Sequence, residues 1–166
     1  MATSFTKYVK HGVVETTDVK ATKCGHAMNV RLDEDVDNGS FVALGDYEGG
    51  SMFKAVKPVA AKPVLLVASS EVIYEQYNKR VQEVENFFNA AGEPVRALEI
   101  VAYDRFALSK EAFADGQKPA VGKFVKIVAG YKAEISDTAI PAQALSAKII
   151  GMTPSGNYLI FVEKNA

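Results

Sequence analysis

The feature that most constrains the fold is the period-two alternation of apolar and other side chains after Pro94. Successive side chains of a β-strand point to opposite faces, so this period predicts strands. Short strands that follow one another at this rhythm, without a β-α-β repeat, are typical of an antiparallel barrel or sandwich. The strands predicted in this part of the chain are 95–103, 121–128, 131–135, 145–152 and 158–162.

Further strands are predicted in the first half of the chain, at 29–32, 40–45 and 52–56. Residues 64–68 (VLLVA) form a short continuous apolar run with β-branched side chains, which is typical of a buried strand. The sequence Asp-Asn-Gly at 37–39 contains Asn-Gly, the strongest short hairpin signal, because both residues accept positive φ. We therefore predict a hairpin turn at 37–39.

One amphipathic helix is predicted near the middle of the chain. Ser70 is a suitable N-cap, Gly92 stands where the helix would end, and Pro94 prevents continuation. Between them apolar residues recur every three or four positions, which places them on one helix face. This face consists of Ile73, Tyr77, Val81, Val84 and Phe88.

Residues 1–28 show no clean period, and Gly12 and Gly25 interrupt them. We interpret this segment as an extended N-terminal arm with one short strand at 13–14, and a loose tail is the alternative. Residues 29–166 then form a single β-rich globular domain. The predicted fold class is mainly β (α+β): an antiparallel β-barrel or sandwich with one central amphipathic helix and an extended N-terminal arm.

The overall charge argues against two classes of partner. Lys and Arg number 19 and Asp and Glu number 20, so the formal net charge is −1. Non-specific nucleic-acid binding needs many cations to release counterions, and this chain has no such excess. No apolar run approaches the roughly 20 residues that span a bilayer. We therefore expect neither nucleic-acid nor membrane partners. The chain has a single cysteine, Cys24, so it cannot form an internal disulfide framework. This agrees with assembly in a reducing cytoplasm.

An acidic cluster at 33–37 is the most conspicuous candidate for metal binding. Asp33, Asp35 and Asp37 have the spacing that begins a calcium loop. The match then fails, because Gly39 falls one place late and Leu44 stands where the bidentate Glu should be. A solvated hairpin end or a docking patch for a basic partner are the other interpretations of these acids.

Histidine and cysteine supply little further chemistry. His11 and His26 both lie in the predicted arm, so a histidine-based acid–base site is hard to build. Together with Cys24 they lack the second cysteine pair of a typical zinc site. We expect no catalytic residue, no cofactor and no metal, and a small metal-dependent enzyme using the acids at 33–37 is the third alternative.

Charge is distributed unevenly along the chain. Residues 1–24 carry four lysines against two acids, whereas residues 31–48 carry six acids against one cation. A basic arm beside an acidic segment permits contacts between neighbouring copies, or pairing within one chain. The residues that we assign to partner binding as a hypothesis are Lys7, Lys10, Lys20, Lys23, Asp33, Asp35 and Asp37.

Three stretches carry a resemblance to a known group of proteins. They are DVDNGSFVALG at 35–45, LLVASS at 65–70 with FFNAAGEPVRA at 87–97, and DRFALS at 104–109 with PAVG at 119–122. Together they resemble small proteins encoded near the major capsid gene of tailed bacteriophages, over roughly residues 30–125. The resemblance implies a virion structural protein, a decoration or cement subunit of the capsid, and no catalytic residues.

The expected function is therefore to bind and stabilise the capsid shell. The expected partners are the major capsid protein and neighbouring copies of this chain, in an oligomer or an assembly-bound state. Such a protein would be made in the host cytoplasm and located on the capsid surface. Many weak contacts and a spanning arm would make its binding tight. The alternative is another virion component, such as a head–tail connector or a tail protein.

Overall fold

The computed structural model describes residues 9–25, 27–73 and 83–166, apart from the side chain of Cys24. Within these residues the chain is mainly β, as predicted. The first elements are β1 (Val14–Asp18), α1 (Lys20–Cys24), β2 (Ala27–Arg31), β3 (Phe41–Gly49), β4 (Met52–Val56) and β5 (Leu65–Val67). The later strands are β6 (Pro94–Glu99), β7 (Arg105–Leu108), β8 (Phe124–Lys126), β9 (Glu134–Ser136), β10 (Leu145–Met152) and β11 (Tyr158–Asn165), and 3-10 turns lie at Val84–Asn86 and Lys110–Ala112.

Five strands close into a barrel in the order β2-β4-β3-β5-β6. Strands β2 and β4 run parallel, and the other neighbours that are paired run antiparallel. The prediction of an antiparallel barrel is thus confirmed in its main feature. The hairpin predicted at 37–39 is wrong, because β2 pairs with β4 and β6 while β3 pairs with β4 and β5.

The remaining strands form a six-stranded antiparallel sheet in the order β1-β7-β11-β10-β8-β9. Strand β10 has the bounds predicted from its alternation, and its inward residues Leu145, Ala147 and Ile149 are buried. The lysine between the last two, Lys148, lies on the other face. One face of the sheet therefore packs inward, as period-two alternation requires.

The larger hydrophobic core lies between the barrel and the sheet. Phe41 of β3 meets Phe106 of β7 there, with ring centroids 6.3 Å apart. The next residue of β3, Val42, belongs to a second core that is built from the barrel strands. Barrel strands are thus apolar on both faces, which explains why β5 appears in the sequence as a continuous apolar run.

Most of the described part of the predicted N-terminal arm lies within this fold. Strand β1 pairs antiparallel with β7, and Val19 is fully buried in the larger core. The Glu15 carboxylate accepts hydrogen bonds from Ser155 and Asn157, which ties β1 to the turn before β11. An extended arm over residues 1–28 is therefore not confirmed, and residues 1–8 and 26 lie outside the described residues.

The predicted central helix is also not confirmed. Residues 74–82 lie outside the described residues, and residues 70–73 contain no helix. Glu83 is extended and Val84–Asn86 form a single 3-10 turn. Val84 and Phe88, assigned to the apolar face of that helix, are both 42% exposed.

Tertiary pairing explains why this stretch is not an α-helix after residue 83. The N–H of Asn89 donates to the carbonyl of Val36 at 2.8 Å, and the N–H of Val36 donates back at 2.9 Å. This antiparallel bridge is incompatible with continued helical hydrogen bonding at Asn89. Helical periodicity is a weak preference that such contacts override.

Candidate functional site

A buried carboxylate, Asp37, lies at the centre of the site. Its Oδ1 is 2.6 Å from His11 Nδ1, and its Oδ2 is 2.7 Å from Lys132 Nζ. The backbone N–H of Gly12 also donates to it. Burial by itself would raise the pKa of Asp37, but the hydrogen bonds from Lys132 and His11 outweigh it and hold that pKa below its ordinary value. Asp37 is therefore an ionised anchor for two segments that are distant in sequence.

The neighbouring Asn38 joins the same loop to the barrel. It is 1% exposed, and its amide group makes a paired contact with the backbone of Ser69. Ser69 N–H donates to Asn38 Oδ1 at 3.0 Å, and Asn38 Nδ2 donates to the Ser69 carbonyl at 3.0 Å. Asn89 Nδ2 donates to the same Oδ1 at 3.1 Å. The Asp-Asn-Gly sequence is thus a buried polar junction, and the solvated hairpin end expected at these residues is wrong for Asp37 and Asn38.

Two glycines permit this close packing. Gly39 has φ of 83°, and a Cβ there would lie 2.8 Å from a methyl of Leu108. A Cβ at Gly12 would lie 2.7 Å from the carbonyl oxygen of Asn38 and 2.9 Å from the Cα of Ala112. Real Cβ atoms do not approach other atoms so closely, so Gly12 lets the chain before β1 cross directly over the junction.

The other acids of the predicted cluster have separate partners. Asp33 forms an exposed ion pair with Lys54 at 2.8 Å, and Asp35 Oδ1 accepts a hydrogen bond from the N–H of Ala91 at 2.8 Å. Asp33, Asp35 and Asp37 thus contact three different sets of partners. Among the described residues no three His, Cys, Asp or Glu side chains lie close enough together to hold a metal ion.

The predicted basic residues are also dispersed. Lys10 pairs with Glu85 at 2.5 Å and Lys23 with Asp18 at 3.4 Å. The backbone N–H of Lys20 donates to Asp104 Oδ1 at 2.8 Å, while its side chain is exposed. Lys7 lies outside the described residues. Of the predicted lysines that the structure describes, Lys10 is the one that lies near Asp35 and Asp37.

A cleft of about 580 Å³ opens beside Asp37. Its size lies within the range of protein pockets that bind small ligands or peptide side chains. It is bounded by both β-units: the segment 35–40 leads into the barrel, and the segments 114–115 and 128–132 belong to the sheet side. Val9, Lys10, His11 and Phe88 complete its walls.

The segment before β1 is held firmly against one wall of this cleft. The His11 ring stacks on Phe88 with centroids 5.2 Å apart and planes 30° apart. The N–H of His11 donates to the carbonyl of Glu85 at 2.7 Å, beside the Lys10–Glu85 ion pair. Residues 10 and 11 are therefore fixed by side-chain and backbone contacts together.

Tyr131 forms part of the opposite wall. The Nζ of Lys57 lies 5.5 Å from the centroid of its ring, and Lys57 pairs with Glu34 at 2.7 Å. Burial, with a smaller contribution from the charge of Glu34, raises the pKa of Tyr131 above 10.0. The phenol therefore stays neutral, and its ring attracts a cation from this chain.

His11, Lys132, Phe88 and Tyr131 were not assigned to the site from the sequence. No local pattern marks them, because Lys132 and Asp37 are far apart along the chain and meet only through folding. The excess of acids at 33–37 was a partial signal, since a carboxylate between two apolar strands needs a cation when it becomes buried.

Two groups of exposed apolar residues lie outside the cleft. On the barrel, Tyr47 is 63% exposed and packs on Phe53 with ring centroids 5.2 Å apart. Beside the sheet, in the turn between β6 and β7, Tyr103 is 80% exposed, and its ring centroid lies 6.2 Å from that of Phe161 of β11. Leu44 and Val56 on the paired strands β3 and β4 are also exposed, as are Ile150 and Met152 on β10.

Tyr103 also has an unusual backbone. Its φ is 74°, in the left-handed region that costs an ordinary L-residue roughly 1–2 kcal/mol. Its N–H donates to the carbonyl of Val162 at 2.8 Å, which holds the residue in place. Residues with strained backbones cluster at functional sites, and this one presents an aromatic ring to solvent.

Comparisons of the chain with protein-family models, curated proteins and solved structures found no match. Among the described residues, no helix is long and apolar enough to cross a membrane.

Proposed function

We propose that this chain is a virion structural protein that binds and stabilises the capsid shell of a tailed bacteriophage. Its partners are the major capsid protein and neighbouring copies of itself, and it acts on the capsid surface after synthesis in the host cytoplasm. The resemblance of the stretches at 35–45, 65–70, 87–97, 104–109 and 119–122 suggests this setting. The observation that carries the proposal is Tyr103, an aromatic side chain that is 80% exposed on a strained backbone.

Tyr103 is poorly explained by the stability of the isolated chain. Asn or Gly accepts positive φ at lower cost, and the tyrosine ring leaves most of its surface in water. Tyrosine is among the residues that contribute most binding energy when a partner covers them. A partner that covers the ring of Tyr103 would therefore account for both its exposure and its strain.

The surroundings of Tyr103 fit a protein-binding face. Aromatic and cationic residues alternate across the sheet, because Arg105 pairs with Phe161, Phe161 with Lys148, and Lys148 with Phe124. The Nζ of Lys148 lies 5.4 Å from the centroid of the Phe124 ring. Aromatic residues and arginine are enriched in protein interfaces, and this row offers both.

A shell-stabilising protein must hold two subunits at once, so it needs two separate contact surfaces. The pair Tyr103–Phe161 lies beside the six-stranded sheet, and the pair Tyr47–Phe53 lies on the barrel. The larger core contains side chains from both units. If each surface binds a different neighbour, two weak contacts combine into one strong attachment, because the second contact forms at high effective concentration.

The first test is binding to shells. Shells would be purified from the virus that encodes this chain, after its gene has been disrupted, and mixed with purified protein before sedimentation. We expect the protein to sediment with assembled shells and not with unassembled capsid protein. Failure to bind intact shells would refute the proposal.

Copy number separates decoration from the alternative of a connector or tail component. Quantitative mass spectrometry of native particles should find hundreds of copies for a shell protein, and about a dozen to a few dozen for a ring. A ring-like number would replace the proposed role with the alternative.

The second test uses Tyr103→Asn. Because Asn accepts positive φ, this variant should unfold at a urea concentration equal to or higher than that of the wild type. It should nevertheless bind shells at least tenfold more weakly. Val72→Ser, which changes an exposed apolar residue outside both groups, is the matched control and should bind normally. Normal shell binding by Tyr103→Asn would show that Tyr103 does not contribute to binding, and the proposal would lose its main support.

A further inference from the structure

We propose that the cleft beside Asp37 receives a lysine or arginine side chain from an extended segment of a partner protein. The inference deepens the proposed function and rests on it in taking the partner to be a shell protein. It names the chemistry that the partner must present, namely an aliphatic stem that ends in a cation.

The charges of the cleft favour a cation. The cationic groups that line it already have partners: Lys10 pairs with Glu85, and Lys132 contacts Asp37. His11 is also held by Asp37. The two remaining acids of the lining, Asp35 and Asp115, are exposed and have no ion-pair partner in the part of the chain that the structure describes. The cleft therefore presents two carboxylates to an incoming group.

The apolar lining favours a long side chain. Val9, Phe88, Val128 and Tyr131 contribute apolar surface to its walls. Lysine and arginine bury their aliphatic stems on apolar surface while the charged end stays near water or an acid. The aromatic rings of Phe88 and Tyr131 add attraction for a cation, and Tyr131 already has Lys57 of this chain over its ring.

An acidic ligand fits the same place poorly. It would approach Asp35 and Asp115, while the lysines of the lining already pair with acids of this chain, Lys132 with Asp37 and Lys10 with Glu85. Asp37 is 8% exposed, and loss of Lys132 would leave a buried carboxylate with one partner fewer. The volume of about 580 Å³ also exceeds that of one side chain, so backbone on either side of the cation can enter.

The experiment is an NMR titration of ¹⁵N-labelled full-length protein. The probes are the blocked tripeptides acetyl-Val-Lys-Val-amide and acetyl-Val-Arg-Val-amide, with acetyl-Val-Glu-Val-amide as the acidic counterpart. A single side chain binds weakly, so we expect a Kd on the order of 1 mM for the basic probes. The shifted amides should be those of residues 35–37, 114–115 and 128–132.

The matched variant is Asp35→Asn with Asp115→Asn. Asparagine keeps the side-chain oxygen that accepts the hydrogen bond of Ala91 N–H, so the fold around residue 35 is retained. We expect this double variant to bind the basic probes at least fivefold more weakly. The control is Asp137→Asn, because Asp137 is exposed, pairs with Lys123 and lies outside the cleft. It should bind as the wild type does.

The inference is overturned if the acidic probe shifts the cleft as strongly as the basic probes, or if basic probes at about 10 mM leave it unshifted. It is also overturned if the double variant binds them normally. Shell sedimentation separates this failure from that of the proposed function. Shell binding without binding of basic probes refutes the cleft assignment alone, whereas binding of basic probes without shell binding supports the cleft and refutes the capsid role.

Discussion

Replacing Asp37 with Asn tests whether the buried carboxylate holds the two β-units and the N-terminal segment together. Asp37 contacts His11 with one oxygen and Lys132 with the other. Asn has one acceptor oxygen, so one of the two contacts is kept. The neutral amide cannot form the ion pair with Lys132, and its NH₂ group can hydrogen-bond His11 only if Nδ1 of that ring is unprotonated.

The expected loss follows from these contacts. A hydrogen bond to a charged group is worth about 1.5–3 kcal/mol, and breaking a fully buried ion pair costs about 3–5 kcal/mol. The side chain of Asp37 is 10% exposed but that of Lys132 is 33% exposed, so water replaces part of the lost contact. We therefore expect Asp37→Asn to lower the free energy of unfolding by about 2–3 kcal/mol. For a chain of this size that corresponds to a fall in Tm of roughly 4–12 °C.

Urea unfolding followed by circular dichroism measures this difference, with Asp33→Asn as the control. Asp33 belongs to the same acidic cluster, but 72% of its side chain is exposed and it pairs with Lys54 at the surface. Exposed ion pairs contribute little, so the urea midpoint of Asp33→Asn should match that of the wild type. Equal effects of the two substitutions would refute the assignment of Asp37 as a buried anchor.

The pH dependence gives an independent check. The pKa of Asp37 in the folded protein lies below 3.8, so the folded state binds this proton less readily than the unfolded chain. Its contribution is then complete above about pH 4 and is lost as the pH falls through the folded pKa. The gap between wild type and Asp37→Asn should therefore shrink in acid, and a gap that stays constant down to about pH 2.5 would contradict the mechanism.

Three further predictions concern single residues of the junction and the cleft. Gly39→Ala should cost about 2–4 kcal/mol in urea unfolding, because positive φ and a leucine methyl at 2.8 Å both oppose a Cβ. Gly156→Ala has a similar φ of 86° but open space, and a penalty as large as that of Gly39→Ala would contradict the role of close packing. Asn38→Ala should cost about 2–3 kcal/mol, since it leaves the N–H and carbonyl of Ser69 without their partner, and a loss under about 0.5 kcal/mol would argue against the junction. In an ultraviolet titration of the tyrosines, Tyr131→Phe should lose one phenol that ionises above pH 10. An unchanged titration curve above pH 10 would contradict the raised pKa of Tyr131.

Two local sequence patterns predicted strands correctly. Alternation predicted a strand with one buried and one exposed face, and a continuous apolar run predicted a strand that is buried on both faces. The alternation at 145–152 gave the bounds of β10, and the run at 64–68 contains β5. In both cases burial repeats along the strand itself, so neighbouring residues carry the information. Strand β7 was not predicted, because its apolar run, Phe106 to Leu108, has only three residues, compared with five in the run that contains β5, and shows no alternation.

Helical periodicity after residue 83 and the Asn-Gly signal were misleading for a common reason. Both are local preferences of about 1 kcal/mol or less per residue. At residues 83–92 the backbone instead bonds to Val36, and at 37–39 Asn38 bonds to Ser69. Contacts between distant segments exceed these preferences, so the chain follows the contacts.

The sequence by itself determined that this chain is mainly β, with apolar strands sufficient for a barrel and a sheet, and that its acids concentrate at 33–37. It could not determine which of those acids would be buried. Only the tertiary structure places His11 and Lys132 against Asp37, while Asp33 and Asp35 remain exposed. The physical reason is that a carboxylate stays charged inside a protein only where donors from other segments replace its water, and pairing of strands β1 to β11 decides which donors arrive.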